Sequence, residues 1–175
     1  MIYVEGKNFE RLYDRTALNR ICSGLAARLN NDYMGKHPLY IGVLTGSYMF
    51  MADLMRRIDM NSETTFVRVA SYVGDTSGVM RQILGVDRSV EGRHIVLVED
   101  IVDTGHTIDF LVAKLYEMGA ETVEVCTLLF KPNKYEGITA IKYYGAAIDN
   151  NFVIGYGMDY NEAGRNLPEV WVEKE

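Results

Sequence analysis

The sequence predicts an α/β fold: an open, mostly parallel sheet flanked by helices, with a small hood drawn from the two ends of the chain. Three observations lead there. Short apolar runs alternate with segments of helical period, the pattern of parallel strands joined by right-handed crossovers. The run from Arg93 to Val98 is apolar on both faces, as a strand covered by helices on both sides must be. The strong runs also end in polar loops, where an open parallel sheet presents its ligand-binding groups.

Taken in order, apolar side chains recur from Phe9 to Leu29 at Leu12, Leu18, Ile21, Leu25 and Leu29, with Thr16 in phase, and predict a helix. Gly35 and Pro38 end the helical region. Leu39 to Leu44 reads as a strand, Thr45-Gly46-Ser47 as a polar turn, and Tyr48 to Ile58 as a helix. Thr64 to Ala70 is a strand by its β-branched content, followed by a glycine-bearing loop from Ser71 to Gly78. The central strand at Arg93–Val98 runs into Glu99-Asp100-Ile101-Val102-Asp103-Thr104-Gly105-His106-Thr107, and Ile108 to Met118 is helical with Gly119 as its stop. Thr122 to Phe130 is another buried strand, halted by Pro132. After Lys142 the pattern loosens, and Phe152 to Gly157 is too rich in glycine for a further crossover helix. One domain over residues 1–175 is expected, its hood formed by about 1–15 and 148–175.

A chain of 175 residues buries roughly 70% of its unfolded surface, so it needs neither disulfides nor a structural metal. Its 48% hydrophobic content excludes a disordered chain. A net charge of −6 argues against a basic sheath for nucleic acid or anionic membrane, and neither partner is expected. Cys22 and Cys126 sit among apolar neighbours with no paired-cysteine motif, and read as buried thiols. With no apolar run near the ~20 residues of a membrane helix, and none of the marks of a secretory signal at Met1–Glu5, the expected compartment is the cytoplasm.

The chemistry concentrates after Val98. Thr104 and Thr107 supply hydroxyls, Gly105 permits a close backbone turn, and the helix that follows offers unpaired N–H groups at its positive end. Together they make an anion cradle. A helix cap explains one of Asp103 and Thr104. It does not explain Glu99, Asp100 and Asp103 gathered at the mouth of an apolar strand. Carboxylates beside an anion seat make sense if they hold a divalent cation or accept sugar hydroxyls. Neither a Walker A loop nor a Gly-x-Gly-x-x-Gly fingerprint is present.

The segment Val96–Thr107 resembles the phosphoribosyl-pyrophosphate (PRPP) motif of type I phosphoribosyltransferases. More narrowly, the chain is similar to hypoxanthine(-guanine) phosphoribosyltransferases. Val43–Ser47, Ser71-Tyr72, Leu129–Pro132, Gly155–Glu162 and Arg165–Pro168 agree in order and spacing.

The resemblance implies the type I fold and a purine-salvage reaction. Ribose 5-phosphate passes from PRPP to hypoxanthine, and to guanine, with release of pyrophosphate. It implies that Glu99 and Asp100 hold the ribose hydroxyls, partly through Mg²⁺, and that Asp103 is the general acid/base near purine N7. The 5-phosphate falls to Asp103, Thr104, Gly105, His106 and Thr107, and pyrophosphate to the Gly46 backbone and Arg165. Asp159 is expected to carry a second Mg²⁺. Phe152 stacks on the purine, while Val153 and Asp159 meet its other edge through their backbone. Alone, Lys131 reads as a solvated lysine before a proline turn. Within the resemblance it becomes the donor to purine O6, a contact adenine cannot reciprocate. Ser71 and Tyr72 open a lid reaching to Leu84, which keeps water from an oxocarbenium-like transition state. Thr45 and Ala70 stand where relatives carry basic residues, so the role at residue 46 rests on backbone. Relatives form homodimers or homotetramers. A regulator that keeps the fold to bind RNA is the rival reading, and the acidic charge weighs against it.

Overall fold

The chain opens on an antiparallel hairpin, β1 (Ile2–Val4) and β2 (Lys7–Tyr13), and only then turns helical. The structure, a computed structural model, describes residues 1–71 and 80–174, with residues 70–71 and 80–84 described by backbone alone. Asp14 starts α1 (Arg15–Asp32): its Oδ1 accepts the Ala17 amide at 2.8 Å and satisfies a first-turn donor. The helix predicted from Phe9 therefore begins at Arg15. Phe9 is fully buried within a strand, and Leu12 and Thr16 are exposed. The apolar stripe of α1 is Leu18, Cys22, Leu25, Ala26 and Leu29.

The next elements are β3 (Leu39–Leu44), α2 (Tyr48–Met55) and β4 (Glu63–Ser71). Then come β5 (Met80–Leu84), β6 (His94–Val102), α3 (His106–Glu117) and β7 (Thr122–Phe130). Helix α2 stops at Met55, short of Ile58, and β6 runs past Val98 to include the acidic pair. A further strand, β8 (Tyr143–Ala147), extends the sheet where the sequence pattern loosens. Its residues Tyr-Tyr-Gly-Ala-Ala carry no β-branched side chain, and glycine with two alanines dilutes the strand signal of the tyrosines. Tyr143 is fully buried nonetheless.

These strands form one sheet in the order β5-β4-β3-β6-β7-β8, in which only β5 runs antiparallel, at the edge. From β3 the chain moves outward to β4, and from β6 it moves the other way to β7. The crevice between β3 and β6 is thus the topological switch point, where ligands of open α/β sheets bind.

Alternation along the strands fills both faces. Leu39, Ile41, Val43, Ile95, Leu97, Val123 and Val125 pack with Ile108, Leu111 and Leu115 of α3. Tyr40, Val96, Val98, Cys126 and Leu128 pack with α1 and α2 on the opposite face. Both cysteines are buried and unbonded. A second, four-stranded sheet has the order β1-β2-β10-β9, where β9 is Val153–Ile154 and β10 is Val170–Glu173. It joins the start of the chain to its end. Among the described residues no helix is long and apolar enough to cross a membrane.

Candidate active site

Loops from the carboxyl ends of β3, β6 and β7 meet at the switch point. Strand period sends consecutive side chains to opposite faces. Glu99 follows Ile95 and Leu97 toward α3, and Asp100 follows Val96 and Val98 toward α2. There Asp100 lies against Gly46, so closely that a Cβ on Gly46 would overlap its carboxylate. Gly46 follows a cis peptide between Leu44 and Thr45, and Ser47 Oγ donates to the Val43 carbonyl at 2.6 Å.

Glu99 and Asp100 are both buried, 8% and 9% exposed. Burial pushes the Glu99 carboxyl well above its ordinary range, and the charge of Asp100 adds to this; burial also raises Asp100. A divalent cation would reverse that discomfort, so the pair fits one chemically. Among the described residues no three His, Cys, Asp or Glu side chains converge on one point. An ion held here would complete its shell with water and ligand oxygens, the habit of Mg²⁺.

Beyond β6, Gly105 turns the chain at φ +91° into α3. Glu99, Val102, Asp103, Thr104, Gly105 and Thr107 line a cavity of about 110 Å³ there. The first-turn N–H groups of α3 and its positive end suit an anion. The His106 ring lies beside the cradle, its Nδ1 3.4 Å from Thr104 Oγ1. It is 64% exposed, with Nε2 3.9 Å from Glu136.

The loop and helix that form the cradle are braced from behind by residues 135–139. The Tyr135 ring fills the space that a side chain at Gly105 would need. The Glu136 amide donates to the Thr104 carbonyl at 3.0 Å. Asp109, in the first turn of α3, accepts the amides of Ile138 and Thr139 at 2.9 and 3.0 Å. Partial burial works to raise its carboxyl, but hydrogen bonds from Thr139 and Ile138 win and hold it below the usual value.

Lys131, leaving β7, is 5% exposed, and its Nζ lies 3.3 Å from Asp103 Oδ2. Lys134 reaches the same oxygen from the solvent side at 2.9 Å. The turn that brings the two lysines together is closed by the Lys134 amide on the Lys131 carbonyl at 3.1 Å. The pattern Lys-Pro-Asn-Lys carries that turn, and is the signal by which Lys134 could have been singled out. Asp103 Oδ1 is buried with no hydrogen-bond partner among the described residues.

From the second sheet, Phe152 is 40% exposed, its ring edge-on to Tyr160 at 5.5 Å. Val153 is buried in β9 opposite Val172. Asp159 is engaged by Arg165 Nη2 at 2.8 Å and by the Glu162 amide at 2.9 Å. Arg165, its partner, is also near enough to Asp100 for its charge to work against the raised carboxyl there. Arg165 Nη1 also donates to the Gly157 carbonyl at 3.1 Å. Of the expected lid, β4 and β5 form an antiparallel stem and the Ser71 backbone ends β4; Tyr72 lies outside the described residues.

Residues 8–161 match the phosphoribosyl transferase domain family. The chain belongs to the phosphoribosyltransferases. Among its relatives is a hypoxanthine-guanine phosphoribosyltransferase of Lactococcus lactis, 49% identical over 151 residues, covering 83% of this chain and 80% of that one. A hypoxanthine phosphoribosyltransferase structure from Staphylococcus aureus superposes with a TM-score of 0.90 at 38% identity, covering 94% of this chain and 91% of that one. That of Trypanosoma cruzi, in complex with its product IMP, also gives 0.90, at 31% identity over 99% of this chain and 98% of that one. This phosphoribosyltransferase thus has the type I fold, with the carboxylate pair, cradle and buried lysine arrayed along one crevice.

Proposed function

We propose that this phosphoribosyltransferase moves the 5-phosphoribosyl group of PRPP to hypoxanthine and guanine, giving IMP or GMP and pyrophosphate. The observation that carries the choice of base is Lys131. A buried ammonium that donates and cannot accept suits a 6-oxo group and mismatches a 6-amino group. The names of the relatives agree.

The cradle at residues 103–107 takes the 5-phosphate on α3 N–H groups and the hydroxyls of Thr104 and Thr107. Glu99 and Asp100 receive the ribose hydroxyls and are the residues that would hold Mg²⁺; Asp159 is the candidate for a second ion. Bound there, the ion supplies charge neutralisation to the pyrophosphate leaving group. Gly46 offers its backbone N–H to pyrophosphate, and Arg165 its guanidinium. Phe152 presents a ring face to the purine, and Val153 and Asp159 border its far edge. Asp103 accepts or returns the proton at N7 as charge moves into the base. Ser71 and Tyr72 belong to the segment that shields the reacting carbon from water. A homodimer or homotetramer in the cytoplasm is the proposed working form, and two unbonded buried thiols suit a reducing compartment.

The test is PRPP-dependent nucleotide formation with hypoxanthine, guanine, xanthine and adenine in parallel, with and without Mg²⁺. Turnover of hypoxanthine or guanine that needs Mg²⁺ and fails with adenine is expected. Robust use of adenine, or binding of PRPP with no turnover of any base, overturns the assignment.

A further inference from the structure

The turn Gly155–Met158 closes on itself through Gly155 N to Met158 O at 2.9 Å and Met158 N to Gly155 O at 3.1 Å. Three successive residues in it have positive φ: Gly155 at 91°, Tyr156 at 52° and Gly157 at 107°. Glycine takes that conformation freely, whereas a bulky aromatic residue does so rarely and against steric strain. Contacts of the Tyr156 side chain offset that strain. The residue is 6% exposed, and its hydroxyl donates to Asp53 Oδ2 on α2. The tyrosine hydroxyl oxygen also lies 3.7 Å from Cys22 Sγ on α1. Tyr156 thereby pins the turn to both helices of one sheet face.

Two parts of the proposed pyrophosphate seat hang on the next residue. A Cβ on Gly157 would overlap the Gly46 carbonyl, so the two backbones touch. Gly157 also exchanges hydrogen bonds with Arg165, its N–H donating to the Arg165 carbonyl at 3.0 Å and its carbonyl accepting from Arg165 Nη1 at 3.1 Å. Tyr48, at the start of α2, donates its hydroxyl to the same Arg165 carbonyl at 3.2 Å. Lys131, by contrast, arrives from β7 and is fixed by Asp103.

We infer that Tyr156, clipped to Asp53, is a positioning residue that sets the distance between the Gly46 turn and Arg165 and so tunes the grip on the pyrophosphate half of the substrate. The inference rests on the proposed function. Tyr156→Phe removes the clip and leaves the ring in place. The test is calorimetric binding of pyrophosphate in the presence of Mg²⁺, which needs no turnover, together with KM for PRPP and for hypoxanthine and the melting temperature. In Tyr156→Phe and Asp53→Ala, pyrophosphate Kd and PRPP KM rise about tenfold while hypoxanthine KM stays within about twofold. The double variant is no worse than Asp53→Ala alone, which also gives up the exposed Asp53–Arg56 pair, because the Tyr156–Asp53 bond can be lost only once. Asp53→Asn keeps an acceptor for the hydroxyl and recovers most of the loss. Equal rises for both substrates, additive losses, or a lowered melting temperature with unchanged pyrophosphate binding overturn the inference. Wild-type protein that binds pyrophosphate yet turns over no 6-oxopurine defeats the proposed function and leaves the clip to be judged by binding alone.

Discussion

Lys131 and Asp103 form an ion pair of 3.3 Å in which the lysine is almost closed off from water. A buried ammonium without a counter-charge is costly, so Asp103 accounts for the lysine's presence. The aspartate keeps a second cation, Lys134, on the same oxygen, so loss of Lys131 does not strand it.

Lys131→Ala is therefore expected to fold. It should raise hypoxanthine KM by about tenfold or more, the cost of losing a charged hydrogen bond, and leave PRPP KM within about threefold. Steady-state kinetics with each substrate varied in turn separates the two, and equal losses would place the lysine elsewhere.

Asp103→Asn keeps the size of the side chain but cannot accept the purine proton. It also leaves Lys131 without its counter-charge, so hypoxanthine KM should rise as well. Turnover should fall about 10²-fold or more, the loss typical of a missing general base, with PRPP binding preserved. Rapid-quench measurement of the chemical step checks this, and an unchanged rate removes Asp103 from that role.

Gly46→Ala pushes a methyl group into the Asp100 carboxylate. Overpacking of this kind costs about 1–3 kcal/mol, so the melting temperature should drop and PRPP-dependent turnover with it. Adding Asp100→Ala makes room and should restore the melting temperature without restoring turnover. A double variant as unstable as Gly46→Ala would mean that the clash lies with other atoms.

The acidic pair gives stability a pH dependence of definite sign. The Glu99 carboxyl, raised above its usual 4.5 by burial and by Asp100, binds a proton more readily folded than unfolded. Asp100 is raised from 3.8 by burial in the same sense. The folded state is thus favoured at low pH and loses stability as pH rises from about those usual values through the raised ones. Relative to wild type, Glu99→Gln should grow more stable across that rise, as read by thermal melts without metal. Mg²⁺ should raise the wild-type melting temperature at neutral pH and shift the variant less. A pH-independent difference between the two proteins contradicts this account.

The central sheet is legible in the sequence because its strands are buried on both faces and announce themselves as apolar runs, as Ile95–Val98 and Val123–Phe130 do. The phosphate loop is legible because anion binding needs particular residues in consecutive order. Tyr143–Ala147 is hidden, since its burial comes from α1 packing on Tyr143 and from Gly145 admitting Ile21, neither a property of the strand itself. Lys7–Tyr13 is misread for a related reason: its only local partner is the three-residue β1, and the longer partner lies at Val170–Glu173, beyond any local window. The support given by Tyr135 and Asp109 to the cradle is equally non-local. Phe152 and Arg165 stand out through resemblance alone.

The pairing of β2 with β10 also has a consequence in time. Five of the six strands of the central sheet follow one another from Leu39 to Phe130, and β8 completes it by Ala147, so this sheet can assemble while synthesis continues. β2 must wait with only β1 for company until residues 170–173 emerge, and closing so long a loop is slow compared with local pairing. A nascent chain therefore completes the sheet that carries residues 103–107 before the one that carries Val153.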